Sequence, residues 1–482
     1  MEFLAREFEK FLININLQFN DIPFKKHYCD VMNKTITLTE GSVWKSILRF
    51  TLPILLGMFF QQLYNTFDAI IVGHYTGKEA FAAVGGGTGF FINLLIGFCG
   101  GLASGATIII SQFFGAKRDA DLSSAVHTSF ILALAMGIVV TALGISLSGV
   151  AMTIIKTPED IYPNAVAYLK IFFIGVIPMF LYNMGAGILR SIGDSKTPFY
   201  ILVAACFLNI GLDYLFVAKL SMGVSGVAWA TVICQFVSMV LIFIPLVKTN
   251  EAYGFSLAKL RASPALILKM IKLGVPSGLY STMYTVSNLI MMTFVNTFPT
   301  STIAAWTAWG KLDALFWMSV SSIGMALSTF AGQNFGAKQY DRIKKGAWQG
   351  LLIMDAITVV LVIIFRAVGK YFYGWLIPDE TEVIATAIQI TMFLTPAFFL
   401  YVPNEIFAGI VGGVGKTYVS MLITLVGICG TRMVWLFAFC QGTEDFIRVL
   451  YCYPISWLIS ALLFFSYYKF GKWIPHDKTS KD

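Results

Sequence analysis

Twelve apolar stretches, separated by short turns rich in Gly, Pro, Asp and Lys, run along this 482-residue chain. A helix crossing a bilayer needs about 20 mostly apolar residues, because each residue rises about 1.5 Å through a hydrocarbon layer about 30 Å thick. The stretches fall at 44–73, 84–113, 122–149, 161–189, 197–218, 223–248, 265–298, 301–333, 343–369, 381–411, 417–440 and 445–470, and are called spans 1 to 12 below. Several exceed the minimum, which implies tilt or extension beyond the bilayer. Composition agrees: 57% of residues are apolar and 12% charged, with a mean hydropathy of +0.75, against about 25% charged in a soluble domain. So few charges cannot cover a water-facing surface. A cytosolic enzyme, a secreted scaffold and a disordered chain are therefore excluded. The expected fold is all-α and integral to a membrane.

The net charge of +8 is not arranged to bind nucleic acid, since no basic tract is interleaved with aromatics. Instead it orients the bundle. With the amino end inside, eighteen Lys and Arg fall on later cytoplasmic connections and the tail, against six on the other side: Lys78, Lys156, Lys219, Arg366, Lys370 and Arg448. That bias follows the positive-inside rule and places both termini in the cytoplasm, in the cell (inner) membrane. The seven Cys never reach a CxxC spacing and read as small core residues, and the four His are scattered, so no metal site is expected beyond one for sodium. Residues 1–31 mix charge with short apolar runs and lack a cleavable signal; Met32 reads as the true start, so expression from Met32 is expected to give an inserted, active protein.

The two halves repeat. Pro53 and Asn65 of span 1 recur as Pro276 and Asn288 of span 7, 223 residues later. Gln-Phe-Phe-Gly-Ala-Lys at 112–117 returns as Gln-Asn-Phe-Gly-Ala-Lys at 333–338, an offset of 221, and Gly187-Ile188 with Gly193 returns as Gly409-Ile410 with Gly415, at 222. Six spans separate the copies, so corresponding spans point the same way. Two six-helix lobes are then related by a pseudo-twofold axis along the membrane normal, with a binding site expected between them. The expected organisation is an extension over 1–41, a first lobe over 42–248, a cytoplasmic linker over 249–263, a second lobe over 264–470 and a tail over 471–482.

Five acids fall inside spans: Asp68, Asp213, Asp313, Asp355 and Glu405. A charge in hydrocarbon costs several kcal/mol, so such residues are paired, face water or carry function. Gln61, Tyr64, Asn65 and Asp68 follow a three- and four-residue rhythm that lines them along one face of span 1, and Asn209 and Asp213 are four apart on span 5. Carboxylates near amide and hydroxyl oxygens suit a hard cation or a proton, and two carboxylates together in low dielectric cannot both stay ionised. Ser277, Ser281, Tyr284 and Asn288 form the equivalent stripe on span 7, but Met291 stands where the counterpart of Asp68 would be. Coupling chemistry is thus expected in the first lobe. Glu405 reads either as a second proton site or as a structural partner of Arg432; Lys311, Asp313 and Asp355 stay unassigned. Gln61, Tyr64, Asn65, Met283, Tyr284 and Asn288 are the candidate cavity-lining groups. Gly412-Gly-Val-Gly-Lys416-Thr417 imitates a phosphate loop, but the first glycine of that motif would fall on Ile410.

Pro53, Tyr64-Asn65, Asp68-Ala-Ile-Ile-Val-Gly73, Gln112 with Gly115-Ala116, Leu189-Arg190-Ser-Ile-Gly193-Asp194, Thr197-Pro198, Asn209 with Asp213-Tyr214, and Gly226 with Ala230-Thr231 together resemble the multidrug and toxic compound extrusion (MATE) family. The resemblance covers residues 42–470, and its amino-lobe acids are those of the DinF-like branch. It implies a multidrug efflux antiporter, not an enzyme, exporting amphipathic and cationic drug-like compounds by alternating access against a proton or sodium gradient, as a monomer without a cofactor. Carried over residue by residue, it puts the cation or proton site on Asp68, Asn209, Asp213 and Thr231, with Tyr168 and Asn183 nearby, and a hinge at Pro53. Two alternatives make different demands on the residues. A lipid-linked oligosaccharide flippase of the same superfamily would show a strongly cationic cavity, whereas the basic residues within spans are few: Lys170, Lys311 and Arg432. An integral membrane enzyme would need clustered catalytic groups at one depth.

Overall fold

The computed structural model describes residues 37–77, 84, 87–378 and 380–474. Residues 1–36, with Met32, lie outside the described residues, as do Lys78 and the end of the tail. The described elements are helical. They are α1 (Val43–Thr76), α2 (Gly87–Gly115), α3 (Asp119–Ile154), α4 (Tyr162–Ile174), α5 (Val176–Ser191), α6 (Lys196–Asp213), α7 (Gly223–Lys248), α8 (Pro264–Val295), α9 (Thr300–Gly336), α10 (Tyr340–Leu376), α11 (Thr381–Gly413), α12 (Thr417–Thr424), α13 (Thr431–Phe439), α14 (Phe446–Leu450) and α15 (Cys452–Phe470).

Ten helical segments among the described residues are long and apolar enough to cross a membrane, and an eleventh span is broken: α4 and α5 meet at Gly175 with a bend of 46°. The twelfth expected span is α8, 32 residues long. Its length suffices, but Ser277, Ser281, Ser287 and Asn288 dilute its hydropathy, as expected of a helix whose polar stripe faces something other than lipid. Two spans contain π-helical turns. Tyr214–Lys219 continues α6 directly after Asp213, and Leu425–Gly430 joins α12 to α13 directly before Thr431 and Arg432. Each such turn adds a residue to the helical repeat and re-aims the side chains around it.

The chain forms two compact units. The first holds Phe59–Asn93 and Lys117–Met270; the second holds Leu38–Met58, Leu94–Ala116 and Ile271–Asp482. The helix α1 runs unbroken through Pro53, and the boundary falls inside it, between Pro53 and Asp68. In the first unit the linker is packed rather than free. Phe255 stacks on His127, and the Ser256 N–H donates to His127 Nε2 at 3.1 Å. Because Nε2 accepts, Nδ1 carries the ring hydrogen and donates to the Ser123 carbonyl at 2.7 Å.

The second unit shows why the Gln…Gly-Ala-Lys motif is repeated. Gly115 presses on the Gln333 backbone and Gly336 on that of Gln112, so closely that a Cβ on either glycine would overlap the opposing carbonyl. The two copies of the motif thus pack reciprocally, as a pseudo-twofold relation requires. The Gln112 Nε2 continues the joint, donating to the Gly413 carbonyl at 3.1 Å. Backbone conformation repeats as well: Lys117 and Lys338 take φ values of 54° and 59°, and Gly193 and Gly415 take 97° and 92°. Gly415 therefore belongs to a turn between two helices, with no strand before it.

Candidate functional site

In the first unit α1, α6 and α7 bring three polar stripes together. The four-residue spacing of Asn209 and Asp213 stacks them on α6, both with 0% exposure, and Asp68 on α1 is 8% exposed. With its amide nitrogen turned to the acids, Asn209 donates to Asp68 Oδ1 at 2.7 Å and to Asp213 Oδ2 at 3.2 Å. One amide thus bridges the two buried carboxyl groups, and two acids held so close away from water favour a single proton between them. Asp213 Oδ1 is buried without a partner.

One turn before Asp68, the Tyr64 hydroxyl donates to Thr231 Oγ1 at 2.9 Å, tying α1 to α7. Tyr168 on α4 is buried close enough to sense both carboxyl groups. Asp68, Asn209, Asp213, Thr231 and Tyr168 are thus gathered around one buried point. Asn183 is placed differently: it is exposed on α5, with its amide donating to the Met179 carbonyl of its own helix at 2.9 Å. Gln61 and Asn65 are exposed on α1 while Asp68 beneath them is buried, so the stripe runs from an accessible face to a closed one.

Cys234, missed in the sequence, sits 2% exposed beside Asn209, and Cys206 lies near Asp68. Helical spacing could have found both, since Cys234 is three residues after Thr231 and Cys206 three before Asn209. What hid them is that cysteine in a membrane helix reads as a small apolar residue. Hard oxygen donors are what a sodium ion needs. Asp68, Asp213, Thr231, Tyr64 and the Asn209 carbonyl, were that amide to turn, supply such a set.

The second unit holds a different cluster. Arg432 on α13 is fully buried, and its Nη1 donates to Asn288 Oδ1 on α8 at 2.8 Å. Its guanidinium carbon lies 4.6 Å from the ring centre of Tyr453 and 5.6 Å from that of Tyr284. Glu405 on α11 accepts from the Tyr401 hydroxyl at 3.2 Å, and Asp313 on α9 from Trp317 Nε1 at 2.5 Å. Asp313 is buried while Lys311, two residues earlier, is exposed, so the two point to different sides of α9. Asn288 and Met283 are exposed and Tyr284 is half-buried.

The family model MatE matches residues 53–215 and 276–438, two segments that begin and end 223 residues apart. The probable multidrug resistance protein YoeA of Bacillus subtilis (strain 168) is 27% identical over 444 residues, covering 90% of this chain and 95% of that protein. The probable multidrug resistance protein YpnP of the same strain is 28% identical over 444 residues, covering 91% and 98%. Among solved structures, one described as the outward-facing conformation of a multidrug resistance MATE family transporter of the MOP superfamily shares the fold, with a TM-score of 0.84 at 21% identity over 90% of this chain and 97% of that one.

Proposed function

The chain belongs to the MatE family, and on that premise we propose that it is a multidrug exporter driven by a proton bound at Asp68, Asn209 and Asp213. The observation that carries this reading is the Asn209 amide reaching both buried acids, at 2.7 and 3.2 Å. Two carboxyl groups bridged by one amide in a buried site favour a single proton between them, so the site gains and loses charge in single steps. Release of that proton leaves two anions facing each other away from water, which strains the packing of α1 against α6; binding relieves it. The amide adapts to both states, offering its nitrogen to a carboxylate and its oxygen to a carboxylic acid. Protonation thereby biases two arrangements of the first unit, and alternating access follows when each arrangement favours a different side of the membrane. A proton crossing one pH unit supplies about 1.4 kcal/mol, enough to hold a tenfold substrate gradient at one-for-one exchange.

The exported compounds are amphipathic and cationic, met by Gln61, Tyr64, Asn65, Met283, Tyr284 and Asn288, and α1 bends at Pro53 during the cycle. The protein works as a monomer of the DinF-like branch in the cell (inner) membrane, with both termini in the cytoplasm. Sodium is the competing driver, because the oxygen set described above would also hold it. Purified protein in liposomes, given a pH gradient or a sodium gradient in turn, decides between them with ethidium as the substrate. A pH gradient alone is expected to drive accumulation. Accumulation driven by sodium alone at equal pH would replace the proton with sodium, and accumulation under neither would overturn the exporter reading.

A further inference from the structure

We propose that the second unit contains an anion site, in which the free edge of Arg432 takes the carboxylate of a bound zwitterionic compound, a cation that also carries an acid. A guanidinium presents its donors in a fixed plane. Here Nη1 is occupied by Asn288 at 2.8 Å, whereas Nε and Nη2 are buried without a partner. Those two nitrogens share one edge of the guanidinium and donate in parallel, which matches the two oxygens of a carboxylate. The plane itself is held by the faces of Tyr453 and Tyr284. Among the described residues no ion pair involves Arg432, although it is fully buried. A lone buried charge in a membrane helix is expensive and marks a functional position. Neither Glu405 nor Asp313 touches it: Glu405 accepts from the Tyr401 hydroxyl and Asp313 from the Trp317 indole. A bound carboxylate would supply the paired contact that neither acid makes, and exposed Asn288, bonded to Arg432, marks the side from which it arrives.

The internal repeat supports the same conclusion. At the offset of 223 residues that relates span 1 to span 7, Asp68 corresponds to Met291. The acid of span 1 is thus replaced in the second lobe by an apolar residue, 1% exposed. As an account of what is carried, the inference rests on the exporter reading, but its test does not.

Rhodamine 110 and rhodamine 123 share one flat body and differ in that the former has a free carboxylate and the latter its methyl ester. Binding of each to the purified full-length protein in detergent is read by fluorescence anisotropy. The wild type is expected to bind rhodamine 110 at least tenfold more tightly, with benzoate, and not benzamide, displacing it. Arg432→Met and Arg432→Lys, checked as monodisperse by gel filtration, are expected to lose the preference, the latter because an ammonium has no fork. Equal binding of the two dyes by the wild type overturns the proposal, and so does a preference that survives Arg432→Met. Displacement by phosphatidylglycerol in the micelle, and not by benzoate, would assign the fork to a lipid phosphate and also overturn it. Because no gradient is applied, loss of driven export with the dye preference intact would count against the exporter reading alone.

Discussion

With its nitrogen turned to the acids, the Asn209 amide donates to Asp68 Oδ1 at 2.7 Å, a bond between α6 and α1 that no local sequence contact provides. It joins residues 141 positions apart and makes the charge of one helix a matter for its neighbour. If this bond carries coupling, removing either charge should uncouple transport without unfolding the protein. Asp68→Asn and Asp213→Asn keep side-chain volume and hydrogen-bonding capacity while removing the ionisable group. Each is expected to reduce gradient-driven ethidium export to background, with normal yield and a monodisperse gel-filtration peak. Wild-type export by both would remove the site from the mechanism.

The bond from Tyr64 to Thr231 should show a directional asymmetry. Tyr64→Phe removes a donor and leaves a threonine hydroxyl able to turn to its own helix, a loss of about 1 kcal/mol. Thr231→Val leaves the Tyr64 hydroxyl without its acceptor, which costs about 1–3 kcal/mol. Export rates are therefore expected to fall further in Thr231→Val than in Tyr64→Phe, with Thr231→Ser close to wild type. Equal effects of the two would mean that the hydroxyl finds another acceptor.

Reciprocal packing of Gly115 on Gln333 and Gly336 on Gln112 leaves no room for a methyl group. Gly115→Ala and Gly336→Ala are each expected to destabilise by about 1–3 kcal/mol, as overpacking does. They share one joint, so their effects on the thermal midpoint should not add. Gly412→Ala is the control, since a Cβ there meets nothing within 4 Å and a helical glycine is replaced by a better helix former. A midpoint unchanged in Gly115→Ala would show that the joint can yield.

Arg342 caps the start of the second unit by donating to three backbone carbonyls: Leu38 at 3.2 Å, Gly41 at 2.7 Å and Glu40 at 2.6 Å. Arg342→Met is expected to expose 38–41 to hydrogen exchange and limited proteolysis. Arg342→Lys should rescue little, because one ammonium cannot span three carbonyls. Wild-type protection in Arg342→Met would show that Asn334, which also donates to the Leu38 carbonyl at 3.2 Å, suffices.

Much of this was legible in the residues. Hydropathy marks the spans because a bilayer is thick and featureless, and the four-residue spacing of Asn209 and Asp213 puts them on one face wherever the helix packs. The exposed Asn183 was beyond reach, since matching a motif says nothing of where α5 turns it. So was the true partner of Arg432. Composition offers Glu405 as its counter-ion, yet the guanidinium goes to Asn288 and Glu405 to Tyr401.

The sequence by itself therefore determined the membrane fold, the internal repeat and the absence of an acid at position 291, because each depends on residue type and spacing along one chain. Only the tertiary structure decided which buried charge meets which partner: Asp68 and Asp213 share an amide, while Arg432 keeps an open edge. The physical reason is range. Hydropathy and helical periodicity act within a few turns, whereas a hydrogen bond across helices depends on the rotation and depth of two elements that the sequence specifies separately.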